Sequence, residues 1–186
     1  MSTYNIDGAL RTGDVAIYKR SGPVGWLITT FTGGDRSHAG IILCGWNRHW
    51  VCAAKGGGIE LRPLSNDIAT GSIIRVRRVP DDVDVTPDMA FRLASFAVSK
   101  VGVYKYGLRK MLMNAVTETV GVPAWARDPQ KTPTKAMCSE WVSLLLRAYY
   151  AFDPCPKWPD RYTTPDDLDR KSGLVTVCDH LTLVNK

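Results

Sequence analysis

The chain lacks the cysteine and histidine patterns that mark metal-binding or disulfide-rich proteins. Its 186 residues contain no Cys-x-x-Cys pair, and the five cysteines form an odd set. This argues against a zinc cluster or a complete disulfide framework and fits a reducing compartment. The three histidines are few and scattered along the chain. We therefore predict no metal site and no cofactor.

Long apolar runs and targeting signals are also missing. No apolar stretch approaches the ~18 residues that a membrane helix requires. Residues 1–8 lack the basic stretch and apolar segment of a secretory signal. The sequence predicts a soluble protein without a transmembrane segment. We expect it to be cytoplasmic, or delivered without a signal peptide by a route such as a phage particle or a secretion apparatus.

The charge is moderate and gives no sign of a nucleic-acid partner. The net charge is +6, and the basic clusters lack the interleaved aromatic residues of a nucleic-acid reader. Length and apolar content predict one domain over residues 1–186. Nothing in the sequence indicates an oligomeric state.

Short strands dominate the first half of the chain and helices the second, which predicts an α+β fold. Strands are expected at 13–20, 37–44, 49–54, 59–64 and 72–79; tight glycine turns between them favour a curved antiparallel meander. Helical spacing and caps predict helices at 87–101, 108–120 and 138–150 and a helical turn from 165. A last strand is expected at 174–177. The sheet should pack against the helical layer.

Cys138 opens the third predicted helix and is the first candidate for chemistry. Unpaired backbone N–H groups and the helix dipole favour the thiolate of a cysteine at a helix start. The alternative is that Cys138 is a small core residue, since free cysteines are often buried. A nucleophile also needs a base.

His38 is the candidate base. It follows Ser37 at the start of a predicted strand, and the small residues Ala39 and Gly40 leave room for another element to approach. The competitors are His49, in a polar turn, and His180, near the end of the chain. A histidine at a strand end can also have no chemical role.

Five local motifs occur in an order that resembles a known family. The order resembles that of the circularly permuted NlpC-like papain-fold proteins, especially the YiiX-like branch, which are related to the lecithin:retinol acyltransferase-like proteins. The motifs are Gly13-Asp14-Val15, the loop and strand 32–41 with Ser37-His38-Ala39-Gly40-Ile41, Gly58-Ile59, Cys138-Ser139-Glu140, and Thr164-Pro165-Asp166-Asp167-Leu168.

The resemblance implies a permuted papain-like fold in which Cys138 is the nucleophile and His38 the general base. Cysteine peptidase chemistry on cell-wall peptides, and acyl transfer on lipids, are known in the wider group. The helix start would help to bind the oxyanion. Tyr104 and Tyr106 lie where the family places a tyrosine near the cleft, so either one is a candidate substrate-binding residue or a packing residue.

One position departs from the family pattern. The usual third polar residue falls at Ala53, which cannot hold an imidazole. Glu60, Asp35 or a backbone carbonyl are the candidates for orienting His38 instead. Loss of an orienting group lowers the rate without abolishing thiolate chemistry. Glu140 is interpreted as a helix-start acid that complements the dipole.

These observations give three functional hypotheses. The first is a hydrolase that cleaves an amide or peptide bond, plausibly in peptidoglycan, through a Cys138 acyl-enzyme. The second is a lipid-directed acyltransferase or thioesterase. The third, motivated by Ala53, is a papain-fold binding protein that has lost turnover.

Overall fold

The computed structural model describes residues 4, 9–19, 34–45, 47–70, 72–103, 105–106, 135–157 and 163–183. For residues 73, 105, 106, 135 and 136 it describes the backbone alone.

A six-stranded antiparallel sheet, in the order β4-β3-β2-β1-β5-β8, forms the centre of the fold. Its strands are β1 Val15–Lys19, β2 His38–Gly45, β3 Arg48–Lys55, β4 Gly58–Pro63, β5 Ile73–Arg78 and β8 Val175–Cys178. The first four strands form the predicted meander. Strand β5 does not continue it, because it returns to the far side of β1.

Four helices are described: α1 Leu64–Ala69, α2 Pro87–Ser99, α3 Cys138–Tyr150 and α4 Pro165–Arg170. The predicted caps are present, since the Thr86 hydroxyl accepts the Met89 backbone N–H at 3.3 Å. Helix α1 was not predicted, because its six residues are too short to show a helical period. The predicted helix at 108–120 lies outside the described residues.

Helices α2 and α3 cover one face of the sheet. The core on this side is apolar, and α3 contributes the fully buried Trp141 and Leu145 to it. The ring of Phe96 on α2 stacks on Trp141 with 6.1 Å between the ring centroids. From the sheet the face receives Val15, Ile17, Ala39, Ile41, Leu43, Cys52 and Ala54. This packing fixes α3 over β2 and β3.

Helix α1 lies on the other face. The apolar part of that core includes Ala16, Val51, Ala53 and Leu64. Tyr18 belongs to the same cluster and lies directly opposite His38 across the β1–β2 pair. Directly opposed residues point to the same side of a sheet. His38 therefore starts β2 on the face that α1 covers.

The small parallel pair of β6 Lys105–Tyr106 and β7 Lys135–Ala136 completes the described fold. The sequence did not predict these two-residue strands. None of the helices in the described ranges is long and apolar enough to cross a membrane.

Candidate active site

Cys138 is the first residue of α3, and Met137 precedes it as the N-cap residue in extended conformation. The Glu140 carboxylate turns back and accepts the Met137 backbone N–H at 3.1 Å. This bond satisfies one of the donors that a helix start leaves unpaired. Glu140 therefore has the structural role that the sequence predicted.

His38 is the first residue of β2 and is buried. Its imidazole packs against the ring of Tyr18, with 5.4 Å between the ring centroids and 47° between the planes. His49 and His180 lie elsewhere, at the start of β3 and after β8. Of the three histidines, His38 is the one at the start of β2.

The start of α3 lies against the start of β2. The backbone N–H of Ala39, the residue after His38, is close enough to the Cys138 thiol to lower its pKa. Ala39 lies in the same apolar cluster as Trp141 and Val142 of α3. The sulfur of Cys138 therefore lies against the backbone of the strand that His38 begins.

Burial dominates the electrostatics of the Cys138 thiol. Only 3% of the residue is exposed, and burial raises the pKa of the thiol. Hydrogen bonds from the backbone N–H groups of Ala39, Ser139 and Cys138 itself oppose the rise but do not outweigh it. The backbone N–H groups at the helix start thus favour the thiolate, as the sequence predicted, but desolvation of the charge exceeds their effect.

Helix α4 fastens the loop that leads into His38. The Asp35 carboxylate accepts an Arg170 N–H at 2.5 Å, and the Arg36 Nε–H donates to the Asp169 carboxylate at 2.7 Å. A Cβ on Gly34 would lie 2.5 Å from Cγ of Asp166, so this position requires glycine. Three consecutive loop residues are thus fixed to one helix.

Asp169 is the centre of this attachment. Its side chain is fully buried and pairs with three arginines, Arg36, Arg75 and Arg77, at 2.6–2.8 Å. Burial acts to raise the pKa of Asp169, but hydrogen bonds from Arg77 and Arg36 outweigh it and lower the pKa. The carboxylate therefore stays charged and holds the arginines of β5 to the loop before β2.

The same segment also touches the helix of Cys138. The Ser139 hydroxyl donates to the backbone carbonyl of Thr163, immediately before the α4 N-cap residue Thr164. Residues 163–170 therefore contact both the start of α3 and the loop before β2. The Thr-Pro-x-x-Leu motif singled out in the sequence is the part of the chain that makes both contacts.

Ala53 lies on the His38 side of the sheet, close to Gly40. A Cβ on Gly40 would lie 3.0 Å from Cβ of Ala53 and 2.5 Å from Cγ1 of Val51. Gly40 is two residues from His38, so the two share a face by strand alternation. The position of the expected third residue therefore lies beside His38, and its side chain is a methyl group.

The two proposed orienting acids have basic partners. Glu60 pairs across the strands with Ala53, and its carboxylate lies 3.9 Å from Nζ of Lys55 and 3.6 Å from Nη1 of Arg62. Asp35 is bound by Arg170, as described. Burial tends to raise the pKa of Asp35, but Arg36, Arg170 and Lys19 together lower it.

Neither tyrosine candidate can be placed at the cleft. Tyr104 lies outside the described residues, and Tyr106 is described only as backbone in β6. Their suggested contact with substrate stays a prediction.

Sequence reasoning missed a polar cluster on the α1 face. The Tyr18 hydroxyl donates to the Asp67 carboxylate at 2.7 Å, and Arg62 Nε–H donates to both oxygens of the same carboxylate at 2.7 and 2.9 Å. Tyr18 and Asp67 are buried. The only sequence signal for this cluster was the spacing of Arg62 and Asp67. That spacing predicts no contact unless helix α1 is already known.

The Gly13-Asp14 motif lies at the other end of α3. The Asp14 carboxylate is bound by Nε and Nη2 of Arg78 at 2.6 and 2.7 Å, and a Cβ on Gly13 would collide with the Tyr150 ring. A cavity of about 220 Å³ opens there. Tyr150 is the last residue of α3, roughly 18 Å along the helix from Cys138 at 1.5 Å per residue. This motif is structural.

Comparisons with known proteins support the fold alone. The chain is similar to the crystal structure of metalloprotein YiiX from Escherichia coli O157:H7, with a TM-score of 0.56 and 19% sequence identity over 95% of this chain and 97% of that one. No protein-family model matches the chain, and no curated protein matches it. The chain therefore has a YiiX-like α+β fold, and its chemistry must be argued from its own residues.

The described residues do not provide a ligand set for a metal. Within them, no group of three or more His, Cys, Asp or Glu side chains is arranged to hold an ion. The buried carboxylates of Asp14, Asp67 and Asp169 are each bound by arginine instead.

Proposed function

We propose that the chain is a cysteine hydrolase of permuted papain-like architecture, with Cys138 as the nucleophile and His38 as the general base. One observation carries the proposal: the thiol at the start of α3 lies close enough to the Ala39 backbone N–H, next to His38, for that group to lower its pKa. Nucleophilic thiol catalysis needs a base within hydrogen-bond reach of the sulfur, so the proposal requires the His38 imidazole to reach past the start of β2 to Cys138.

The reaction follows from these two groups. His38 takes the thiol proton, and the Cys138 sulfur adds to the carbonyl carbon of an amide. The tetrahedral intermediate collapses as His38 returns the proton to the leaving amine, and a thioester remains. His38 then deprotonates a water molecule, whose oxygen attacks the thioester, and the acid is released as the thiol is restored.

The start of α3 supplies electrostatic stabilisation of the transition state. The backbone N–H groups of Cys138 and Ser139 lie near the sulfur, and the oxyanion would form on the oxygen of the carbon that this sulfur attacks. Such donors stabilise the transition state more than the ground state. Glu140 accepts the Met137 N–H and so satisfies a backbone donor at the helix start.

The substrate class that we favour is an amide bond in a peptide, with peptidoglycan peptides as the first to test. A lipid ester is the second class, because thioester chemistry also serves acyltransferases and thioesterases. Cys138 and His38 would serve both classes in the same way.

A binding protein without turnover is the alternative that particular observations favour. Ala53 offers no polar group, and burial of Cys138 raises its thiol pKa. Both features reduce the thiolate population. The metal of YiiX is not carried over to this chain, since the described residues provide no set of three or more ligands.

An electrophile that alkylates thiolates tests the proposal. Iodoacetamide at neutral pH should label Cys138 ahead of Cys44 and Cys52, and peptide mapping by mass spectrometry gives the rate at each site. Cys44 is exposed, and burial of its sulfur raises its pKa to about 11; Cys52 is buried, with its pKa raised to about 12. His38→Ala should slow labelling of Cys138 by ~10²-fold or more.

The matched control is His49→Ala, which removes a histidine outside the site and should leave the rate at Cys138 unchanged. Labelling that does not distinguish Cys138 from the other cysteines would refute both enzymatic functions and leave the binding protein. Release of amine from peptidoglycan fragments, compared with release of fatty acid from lipid esters, then separates the two substrate classes.

A further inference from the structure

Three small residues line one row of the sheet on the face that carries His38. Ala16 lies opposite Gly40 on β1 and β2, and Gly40 faces Ala53 on β3. The row ends at Glu60 on β4. Each of the three small side chains is a hydrogen atom or a methyl group, and Val51 packs closely against Gly40 from the neighbouring row.

Two long side chains cross this row from opposite sides. Tyr18 belongs to β1 and Arg62 to β4, and three strand spacings of about 4.8 Å separate these strands. Yet Cζ of Arg62 lies only 5.9 Å from the centroid of the Tyr18 ring. The two side chains therefore extend toward each other over β2 and β3, above Gly40 and Ala53.

Asp67 of α1 joins the two side chains from above. Its carboxylate accepts the Tyr18 hydroxyl and both bonds from Arg62 Nε–H. Burial acts to lower the pKa of Arg62, but hydrogen bonds to Asp67 and Tyr18 outweigh it and raise the pKa. Tyr18 is therefore fixed at its hydroxyl end, while its ring contacts the imidazole of His38.

Stability alone does not account for this cluster. Replacing a buried ion pair by well-packed apolar residues is often neutral or stabilising. This cluster lies on the side of the sheet where His38 begins β2, and the ring of its Tyr18 contacts the imidazole.

We propose that Tyr18, fixed by Asp67 and Arg62, is the positioning residue for His38 and takes the place of the polar third residue that Ala53 lacks. The Tyr18 ring restricts rotation of the imidazole, and Asp67 neutralises the Arg62 charge that would otherwise oppose an imidazolium. The catalytic consequence rests on the proposed function, whereas the effect on His38 does not.

Several charged or titratable groups surround this side of the sheet. Those of the described elements near His38 are Tyr18 on β1, Asp35 and Arg36 in the preceding loop, Lys55 on β3, Glu60 and Arg62 on β4, Asp67 on α1 and Cys138 on α3. Lys55 and Glu60 pair with each other at the outer edge, and Asp35 pairs with Arg170. Asp67 and Arg62 are the charges linked to Tyr18.

The test follows His38 itself by nuclear magnetic resonance of the imidazole during a pH titration. Asp67→Asn removes the partner of a buried cation, so the imidazolium of His38 becomes less favourable. Its titration midpoint should fall by about one pH unit. Asp14→Asn breaks a second buried aspartate–arginine pair and should leave His38 unchanged. It should lower further the midpoint of His49, whose pKa burial lowers and the Asp14 charge partly restores.

A pair of tyrosine variants separates the hydroxyl link from the packing of the ring. Tyr18→Phe keeps the ring but loses the bond to Asp67. The ring is then held less firmly against His38, which should shift the imidazole resonances and slow Cys138 labelling by about tenfold. Tyr150→Phe loses a bond of the same 2.7 Å length, to Thr12, at the far end of α3. It should change neither readout.

An unchanged His38 titration in folded Asp67→Asn protein, or unchanged His38 resonances in folded Tyr18→Phe protein, would overturn the proposal. If Asp67→Asn does not fold, Tyr18→Phe alone decides. Failure of the hydrolase function looks different: Cys138 would not be labelled preferentially in the unmodified protein, while the His38 titration would still respond to Asp67.

Discussion

Strand β1 has a buried aspartate–arginine pair at each end. At its start, Arg78 binds the Asp14 carboxylate with two nitrogens. Near its other end, Arg62 binds the Asp67 carboxylate, which also accepts the Tyr18 hydroxyl. Each pair also has a tyrosine beside it. For the first pair this is Tyr150, whose ring packs against Gly13, the residue before Asp14. The chemistry of the two pairs is therefore nearly the same.

Their neighbours differ. The Asp14 pair joins β1 to β5 and to the last residue of α3, and its other contacts include the Arg11 backbone N–H and the Ala9 carbonyl. The Asp67 pair holds a tyrosine whose ring lies on His38. A buried ion pair thus acquires a function from the titratable group next to it, so removing either pair should cost stability but only one should affect reactivity.

The largest expected effect is on stability in Asp14→Ala and Asp67→Ala. Each leaves a mostly buried guanidinium without its carboxylate, which should lower the free energy of unfolding by about 3–5 kcal/mol. Urea denaturation followed by circular dichroism measures this change. Only Asp67→Ala should also slow labelling of Cys138 in folded protein. Equal slowing of Cys138 labelling in both variants would show that the two pairs do not differ in their effect on reactivity.

An intermediate effect is expected at Gly40. Its Cβ in Gly40→Ala would meet Val51 and Ala53, and overpacking of this kind costs about 1–3 kcal/mol. It should also displace the start of β2 and change the His38 resonance. Gly45→Ala, in the same strand with no atom within 4 Å, is the control for stability. Equal stability of the two variants would show that the close approach at Gly40 is not needed.

The smallest expected effect is on stability in Tyr18→Phe and Tyr150→Phe. Each loses one hydrogen bond of 2.7 Å, so each should lose about 1–3 kcal/mol of unfolding free energy, at the low end if the abandoned acceptor is rehydrated. The two variants should match in a denaturant titration while differing in Cys138 labelling. Normal Cys138 labelling in the Tyr18→Phe protein would show that the cluster has a structural role only.

The sequence predicted the strands of the meander and the helix of Cys138 because both depend on local signals. Alternation and glycine turns marked β1 to β4, and the apolar residues after Cys138 marked α3. The meeting of Cys138 with the start of β2 followed from the order of motifs. The pairing of β5 with β1 could not be predicted in the same way, because it depends on packing across the whole sheet.

The sequence could not predict the surroundings of His38. Glu60 and Asp35 were chosen for their charge, but nearby basic residues bind them, and those contacts depend on strand order. Tyr18 and Arg62 come from strands that are three positions apart, so no local pattern relates them. The helix-end argument gave the direction in which the backbone N–H groups shift the pKa of Cys138, but not the opposing effect of burial, which is a tertiary property.

The pH dependence of Cys138 alkylation tests the pairing of Cys138 with His38 most directly. Burial raises the pKa of an isolated Cys138 thiol, so the thiolate without a partner would appear only above about pH 8.5, the ordinary cysteine range. If His38 forms an ion pair with the sulfur, labelling should persist below pH 7, and His38→Ala should move the profile into the alkaline range. If Cys138 labelling required alkaline pH in both proteins, with identical profiles, His38 would not be paired with Cys138.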